Sequence, residues 1–268
     1  MIKTDKKTMN EDSTVSCYDR HAKDYDLYQS AVVPGYQEML DLVAEACRRY
    51  LPEEAKIIDL GCGTGNASLA ILGKIPSARI FLIDGSGRMV KVAAKKISCA
   101  HPEAILGCRV ADLARSDWDH CIEGEGQGLV GEGYDAVVST LVLEHLPFDR
   151  YKEAIAKCYR RLKPGGWLLA AEGYAEEGSD MQEWFFEEME QRRKAVDPEL
   201  SDFVARLRDE KETHYYCRKA EKEEWWRQAG FLQVNMLWQY LCIGLMAGRK
   251  PLCEAKTRQI VKQAAHLI

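Results

Sequence analysis

Short apolar runs and amphipathic stretches alternate along most of this chain. Residues 36–50 place Met39, Leu40, Leu42, Val43, Ala46 and Cys47 at near-helical spacing, and Pro52 follows. This predicts a helix with one buried face. Residues 57–60 form an apolar run broken only by Asp59, with glycines at 61, 63 and 65. A helical pattern then resumes through Ala67, Leu69, Ala70, Ile71 and Leu72. The unit reads as a buried strand, a tight turn and a helix start. It recurs: a strand over 79–83 ends in Asp84, and a helix over 86–98 is opened by Gly85 and N-capped near Ser86. Strands are predicted over 105–110, ending near Asp112, and over 134–139 and 167–171. A helix over 149–162 is stopped by Lys163, Pro164, Gly165 and Gly166.

After Glu172 the alternation lapses into a charged helical segment carrying Trp184, Phe185, Phe186, Tyr215 and Tyr216. It returns with a helix over 222–229, ended by Gly230, and two strands over 231–238 and 240–247. Almost no turn separates those strands, so they are expected to be antiparallel neighbours. Residues 13–30 hold Tyr18, His21, Tyr25 and Tyr28 at near-helical spacing, residues 122–133 read as a glycine-rich acidic surface loop, and residues 251–268 as a final amphipathic helix.

Strand–helix alternation with short turns argues an α/β fold: a doubly wound, Rossmann-like sheet of seven strands, mostly parallel, with helices on both faces. The expected organisation is one domain over 1–268. Within it lie an N-terminal helical cap (13–50), a core (55–172), a helical lid insertion (173–219), a helix and strand pair (220–250) and a C-terminal helix (251–268). Ligands of such sheets bind beyond the carboxyl ends of the strands. Asp59, Asp84 and Asp112 all fall there.

Composition narrows this picture without redirecting it. The 268 residues are 46% hydrophobic and 29% charged, with a net charge of −5. No global field favours nucleic acid or an anionic membrane. No apolar run approaches the ~18 residues that span a bilayer, and the polar start has no signal-like apolar core. The ten cysteines are irregularly spaced, with no C-x-x-C pair. That suits free thiols in a cytoplasmic protein rather than a disulfide framework or a zinc site, and no metal is expected.

The glycine turn carries the chemistry. A phosphate-cradling loop needs Gly-Lys-Ser/Thr at its end, and here the chain reads Gly65, Asn66, Ala67. A dinucleotide loop needs G-x-G-x-x-G, and counting from Gly61 or Gly63 puts Asn66 or Ser68 in the third place. An acid at the strand end repels phosphate and suits an ammonium group instead. In order along the chain come residues 57–66, the run ending in Asp84, Ala111-Asp112-Leu113, residues 134–146 ending in Glu144-His145-Leu146, and Lys163-Pro164-Gly165-Gly166. This series resembles the class I S-adenosylmethionine-dependent methyltransferases, strongly over residues 55–172 and more weakly over 220–248.

The resemblance implies S-adenosylmethionine as cofactor and S-adenosylhomocysteine as product. Gly61, Gly63 and Gly65 would shape the loop under the methionine portion, with Cys62 and Asn66 also among the cofactor-binding residues, and Asp59 would face its amino group. Asp84, with Gly85 beside it, would accept from both ribose hydroxyls. Met89 would pack near the adenine or be plain core. Asp112 would take the adenine amino group, with Leu113 beside it, or merely cap a turn. Thr140 and Leu141 would lie near the reacting face. Cys62 reads as a small spacer rather than a reactive thiol. The leader, Cys17 to Asp26, is similar to one that folds over the cofactor in small-molecule members. Its Tyr25, with Tyr18 second, would face the sulfonium, because aromatic faces attract cations; the alternative is a tyrosine packed on the first helix.

Methyl transfer asks mainly for alignment and exclusion of water. A base is needed only for an acceptor that is protonated at working pH. His145 is the leading base candidate and competes with a role as a helix-start histidine. His214 and Glu172 follow. The expected partner is a small, partly apolar acceptor, with neither nucleic acid nor membrane, for a monomer or homodimer. The C-terminal pattern is also similar to a tRNA-wobble modification group that makes a carboxylated cofactor.

Overall fold

The computed structural model describes residues 25–115, 117–119, 133–175, 180–196 and 214–252. Tyr18, His21, most of the acidic glycine loop, much of the insertion and nearly all of the last predicted helix lie outside the described residues. Among those described, seven strands form one sheet: β1 (Lys56–Leu60), β2 (Arg79–Asp84), β3 (Ile105–Val110), β4 (Tyr134–Thr140), β5 (Leu162–Gly173), β6 (Leu232–Tyr240) and β7 (Ile243–Arg249), in the order β3-β2-β1-β4-β5-β7-β6. β1 to β5 pair in parallel, and β7 runs antiparallel to both β5 and β6. The last two strands are therefore antiparallel neighbours, as the near-absent turn between them implied.

The helices are α1 (Tyr25–Val32), α2 (Tyr36–Tyr50), α3 (Asn66–Lys74), α4 (Gly87–Ala100), α5 (Phe148–Arg161), α6 (Asp180–Ala195) and α7 (Lys219–Gln228). Side chains alternate across a strand, and the strands here feed two separate cores. Ile57, Ile80, Leu82, Val138 and Leu169 join α2, α3 and α4. Ile58, Ile83, Val137 and Leu168 join α5 and α7. The apolar runs are continuous because both faces of a parallel sheet are covered.

Two boundaries differ from expectation. β5 begins at Leu162, ahead of the predicted stop. Its register with β4 jumps from Tyr134↔Leu162 to Ala136↔Trp167, so residues 163–166 bulge out of the strand rather than precede it. α7 starts at Lys219, three residues early, because Glu221 reaches back to the Arg218 backbone N–H in a capping box. β3 spans Ile105–Val110 as predicted, with Asp112 two residues beyond its end. Among the described residues no helix is long and apolar enough to cross a membrane.

Candidate cofactor cleft and acceptor cavity

The turn after β1 is built on glycines for a physical reason. Gly61, Gly63 and Gly65 all have positive φ, 75°, 49° and 85°. A Cβ at Gly61 would fall 2.4 Å from the Val142 side chain, and the N–H groups of Gly61 and Cys62 both donate to the Ile83 carbonyl. Gly65 caps α3, where a Cβ would press on Ala93 at 3.1 Å. No L side chain serves at either place without strain.

Around this turn a cleft is lined by Tyr25, Tyr36, Gly61, Gly63, Asn66 and Thr140, with Cys62 beside them. Asp59 lies fully buried at the end of β1. The Ser68 hydroxyl donates to its Oδ2, and Oδ1 has no partner among the described residues. Burial, against the opposing pull of Ser68, pushes this carboxyl up to about 6. A buried oxygen without a donor is expensive, and an ammonium group is the ligand chemistry that relieves it.

Asp84 accepts from the Gly63 N–H through Oδ2 and from the Ser86 N–H through Oδ1, both at 2.8 Å. A carboxylate offers about four acceptor positions, so these bonds aim the group without exhausting it. Ser86 caps α4 by accepting from the Met89 N–H at 3.1 Å, as predicted. Met89 itself is 1% exposed, which is core-like burial. Asp112 accepts from the Ala114 N–H at 2.9 Å, so one of its oxygens caps its own turn. The Cys62 thiol is pushed well up by burial, which fits a spacer and not a nucleophile.

Sequence reasoning missed the clamp that seats α1 on the glycine turn. Asp26 accepts from the Thr64 hydroxyl, from Asn66 Nδ2 at 2.9 Å and from Lys96 Nζ at 2.8 Å. Asn66 also accepts from Lys96 at 2.7 Å and donates to the Tyr36 hydroxyl at 3.0 Å. Asn66 is thus a strut of the loop as well as a lining residue. Partial burial alone would raise the Asp26 carboxyl. Its hydrogen bonds to Lys96, Thr64 and Asn66 outweigh that and hold it below the usual carboxylate range. The signal was present, since Asp26 directly follows Tyr25. The clamp brings the Tyr25 ring to 3.4 Å from where a Gly63 Cβ would sit.

A second cavity, of about 180 Å3, lies beyond the cleft. Leu141, Glu144 and His145 reach it from the loop after β4, Tyr28 and Gln29 from α1, and Phe185, Phe186, Met189 and Arg193 from α6. His214 and Tyr216 complete it. The His145 and His214 rings lie 4.5 Å apart, and His214 stacks on Tyr216 at 5.0 Å. The two histidines named from sequence therefore meet. Leu141 belongs to this cavity and Thr140 to the cleft, so one step along the chain separates the two. Glu172, named as a third base, is excluded. Its oxygens accept from Tyr151 at 2.7 Å and Lys222 at 2.6 Å, and all three side chains are buried in the core.

Residues 58–168 match the family described as a methyltransferase domain. A carboxy-S-adenosyl-L-methionine synthase of Shewanella amazonensis is 31% identical over 152 residues, which is 56% of this chain and 57% of that protein. A synthase of the same description from Klebsiella pneumoniae aligns over 84% of this chain and 86% of its own length, at 26% identity. The chain spans 57% of the length of the first two curated relatives it matches. Among solved structures, magnesium protoporphyrin IX methyltransferase from Synechocystis with bound SAH superposes with a TM-score of 0.58 at 16% identity, over 90% of this chain and 96% of that one. That likeness speaks for the fold. With the acid-tipped glycine turn and the 3-2-1-4-5-7-6 sheet, residues 58–168 make this chain similar to the class I S-adenosylmethionine-dependent methyltransferases.

Proposed function

We propose that this protein transfers the methyl group of S-adenosylmethionine to a small acceptor seated in the cavity between α1, α6 and the loop after β4. One observation carries the reading: the cleft and the cavity adjoin at Thr140 and Leu141, with α1 lining both. The cofactor supplies a methyl group made electrophilic by its positive sulfur. Asp59 would hold its ammonium, Asp84 its ribose and the Gly61–Gly63 backbone its methionine portion. Tyr25 closes the cleft, and the aromatic side chains of α6 keep water from the acceptor. A concave site walled mainly by aromatic and apolar side chains suits a small molecule, and the acidic chain argues against nucleic acid as partner. A second reading is transfer onto the cofactor itself. It is favoured by Arg193, whose guanidinium suits a carboxylate donor, and by the names of the synthases above.

Calorimetry tests the cofactor half. S-adenosylmethionine and S-adenosylhomocysteine should bind and NAD should not. Asp84→Ala should weaken binding by roughly ten- to a hundredfold, as befits loss of charged hydrogen bonds. No heat from either sulfur compound would overturn the reading. Mass spectrometry of products from a metabolite extract separates the two chemistries: a methylated acceptor supports the first, and a carboxylated cofactor the second.

A further inference from the structure

Two residues that line the acceptor cavity, Gln29 and Glu144, each carry a buried oxygen with no hydrogen-bond partner among the described residues, Oε1 and Oε2 respectively. Gln29 is 4% exposed and Glu144 is 3% exposed. They stand on different elements, α1 and the turn Leu143–His145, and both line the same cavity. Buried polar groups are almost always satisfied, and an orphan costs free energy until something fills it. The fold fixes Glu144 in place nonetheless. Its backbone carbonyl accepts from the Tyr215 N–H at 2.6 Å, which ties the turn to the segment that returns from the insertion.

Both orphans are oxygens, and an oxygen is relieved by a donor. The surfaces between them are aromatic and apolar: Tyr28, Phe185, Phe186 and Tyr216, with Met189 and Ile243. A flat ring fits those walls, and a hydroxyl on that ring supplies the missing donor. We infer that the acceptor is a phenol-type compound, whose hydroxyl is bound and deprotonated by Glu144 while Gln29 takes a second donor of the same molecule. The inference rests on the reading of the two cavities above and deepens it by naming the acceptor's class.

The chemistry balances without a further reagent. A phenol is mostly protonated at neutral pH, as tyrosine is, and its neutral oxygen is a poor nucleophile. As that oxygen forms its new bond to the methyl carbon, the bond from carbon to sulfur breaks and its electron pair stays on sulfur. The hydroxyl proton passes to Glu144 Oε2. Burial pushes this carboxyl up to about 7, against the opposing influence of His145 and Lys222, and Glu172 adds to the rise. A base of that strength is matched to working pH. Arg193, His145 and His214 also line the cavity. Arg193 is 31% exposed and has Glu190 at 3.9 Å, so it stands toward solvent while Glu144 is buried. Glu144 therefore disfavours a carboxylate in the inner part of the cavity. His145, the base expected from sequence, becomes a neighbour packed on His214.

The test uses the full chain with phenol, benzoate and benzylamine as probes, with and without S-adenosylhomocysteine. Binding is read by ligand-observed saturation-transfer NMR and melting temperature. Phenol should give transfer and raise the melting temperature, whereas benzoate and benzylamine should do neither. Glu144→Gln should keep S-adenosylhomocysteine affinity within about twofold and lose the phenol response, and Gln29→Leu should weaken it. At pH 8 Glu144→Gln should also melt higher than the parent without ligand. A raised carboxyl holds its proton more tightly in the folded chain, so that stabilisation is lost as pH rises through 7 and the buried charge becomes a burden that glutamine lacks. Benzoate binding in place of phenol, a phenol response that survives Glu144→Gln, or a lower melting temperature for that variant would each overturn the inference. Failure of S-adenosylhomocysteine to bind would instead sink the reading of the cleft, and the phenol arm on the chain alone still decides the cavity.

Discussion

Asp59 and Glu172 lie near the carboxyl ends of β1 and β5, two strands of one sheet, and both are 0% exposed. Their surroundings differ in kind. Glu172 is surrounded by protein: Tyr151 and Lys222 donate to it, Lys222 also donates to the Gly173 carbonyl at 2.9 Å, and Trp226 donates to the Tyr151 hydroxyl at 2.9 Å. The Lys222 ammonium also sits over the Tyr174 and Tyr151 rings. Asp59 has one donor, Ser68, and an oxygen left over. A carboxylate completed inside the fold holds structure. One left incomplete keeps an oxygen that a donor could still satisfy. Burial alone does not distinguish them, but the count of satisfied oxygens does.

Three experiments bear on that contrast. The largest effect is expected from Lys222→Met, which strands Glu172 as a buried, unpaired charge. Breaking such a pair costs about 3–5 kcal/mol, so urea unfolding should show a loss in that range, with Glu172→Gln added to Lys222→Met recovering part of it. A loss near zero would place Glu172 with Asp59 as a ligand-facing acid. Next comes the pH dependence at Asp59. Its raised carboxyl holds a proton in the folded chain that an ammonium ligand must displace, so affinity for S-adenosylhomocysteine should climb as pH rises from 5 to 7, by about tenfold for one pK unit of titration. Without ligand the sign reverses: the folded chain binds the proton more tightly than the unfolded one, so this stabilisation is lost as pH rises through about 6. Asp59→Asn should flatten both profiles, and an unchanged affinity profile in that variant would remove Asp59 from the site. The smallest effect belongs to Asp26→Asn. It leaves the Lys96 ion pair, which is partly solvated, without its charge, and such pairs are worth roughly 0.2–1 kcal/mol. Stopped-flow release of S-adenosylhomocysteine should quicken by a few fold, while an unchanged rate would mean that α1 is held in place by packing alone.

The contrast also shows which parts were legible beforehand. The alternating runs around Ile57, Ile80, Val137 and Leu168 spelled out the sheet because both faces of each strand are buried. Asp59, Asp84 and the three glycines were readable because their roles are local: a strand end, a turn and a helix start within ten residues or a single βα unit. Glu172 was misjudged for the opposite reason. Its partners Tyr151 and Lys222 lie 21 and 50 residues away, and the hydrogen bonds that separate a structural acid from a catalytic one leave no local pattern. Glu144 was visible within its motif, but its orphaned oxygen became apparent only once α1 and α6 enclosed it. Gln29 and Arg193 carried no sequence signal beyond their helices. The 163–166 bulge was read as a simple stop because lysine, proline and two glycines spell a turn whether it precedes a strand or interrupts one.

Helix α1 is eight residues long, yet Tyr25 lines one chamber and Tyr28 and Gln29 the other. It packs on α6 through Tyr28, Val32 and Met189. A wall common to two ligands couples their affinities. The first to bind bears the entropy of fixing that wall, and the second meets it already ordered. By thermodynamic reciprocity each ligand must tighten the other by the same factor. On the proposed function, filling the cleft would prepare the cavity, and an acceptor already in place would slow the escape of spent cofactor, linking turnover to the order in which products leave.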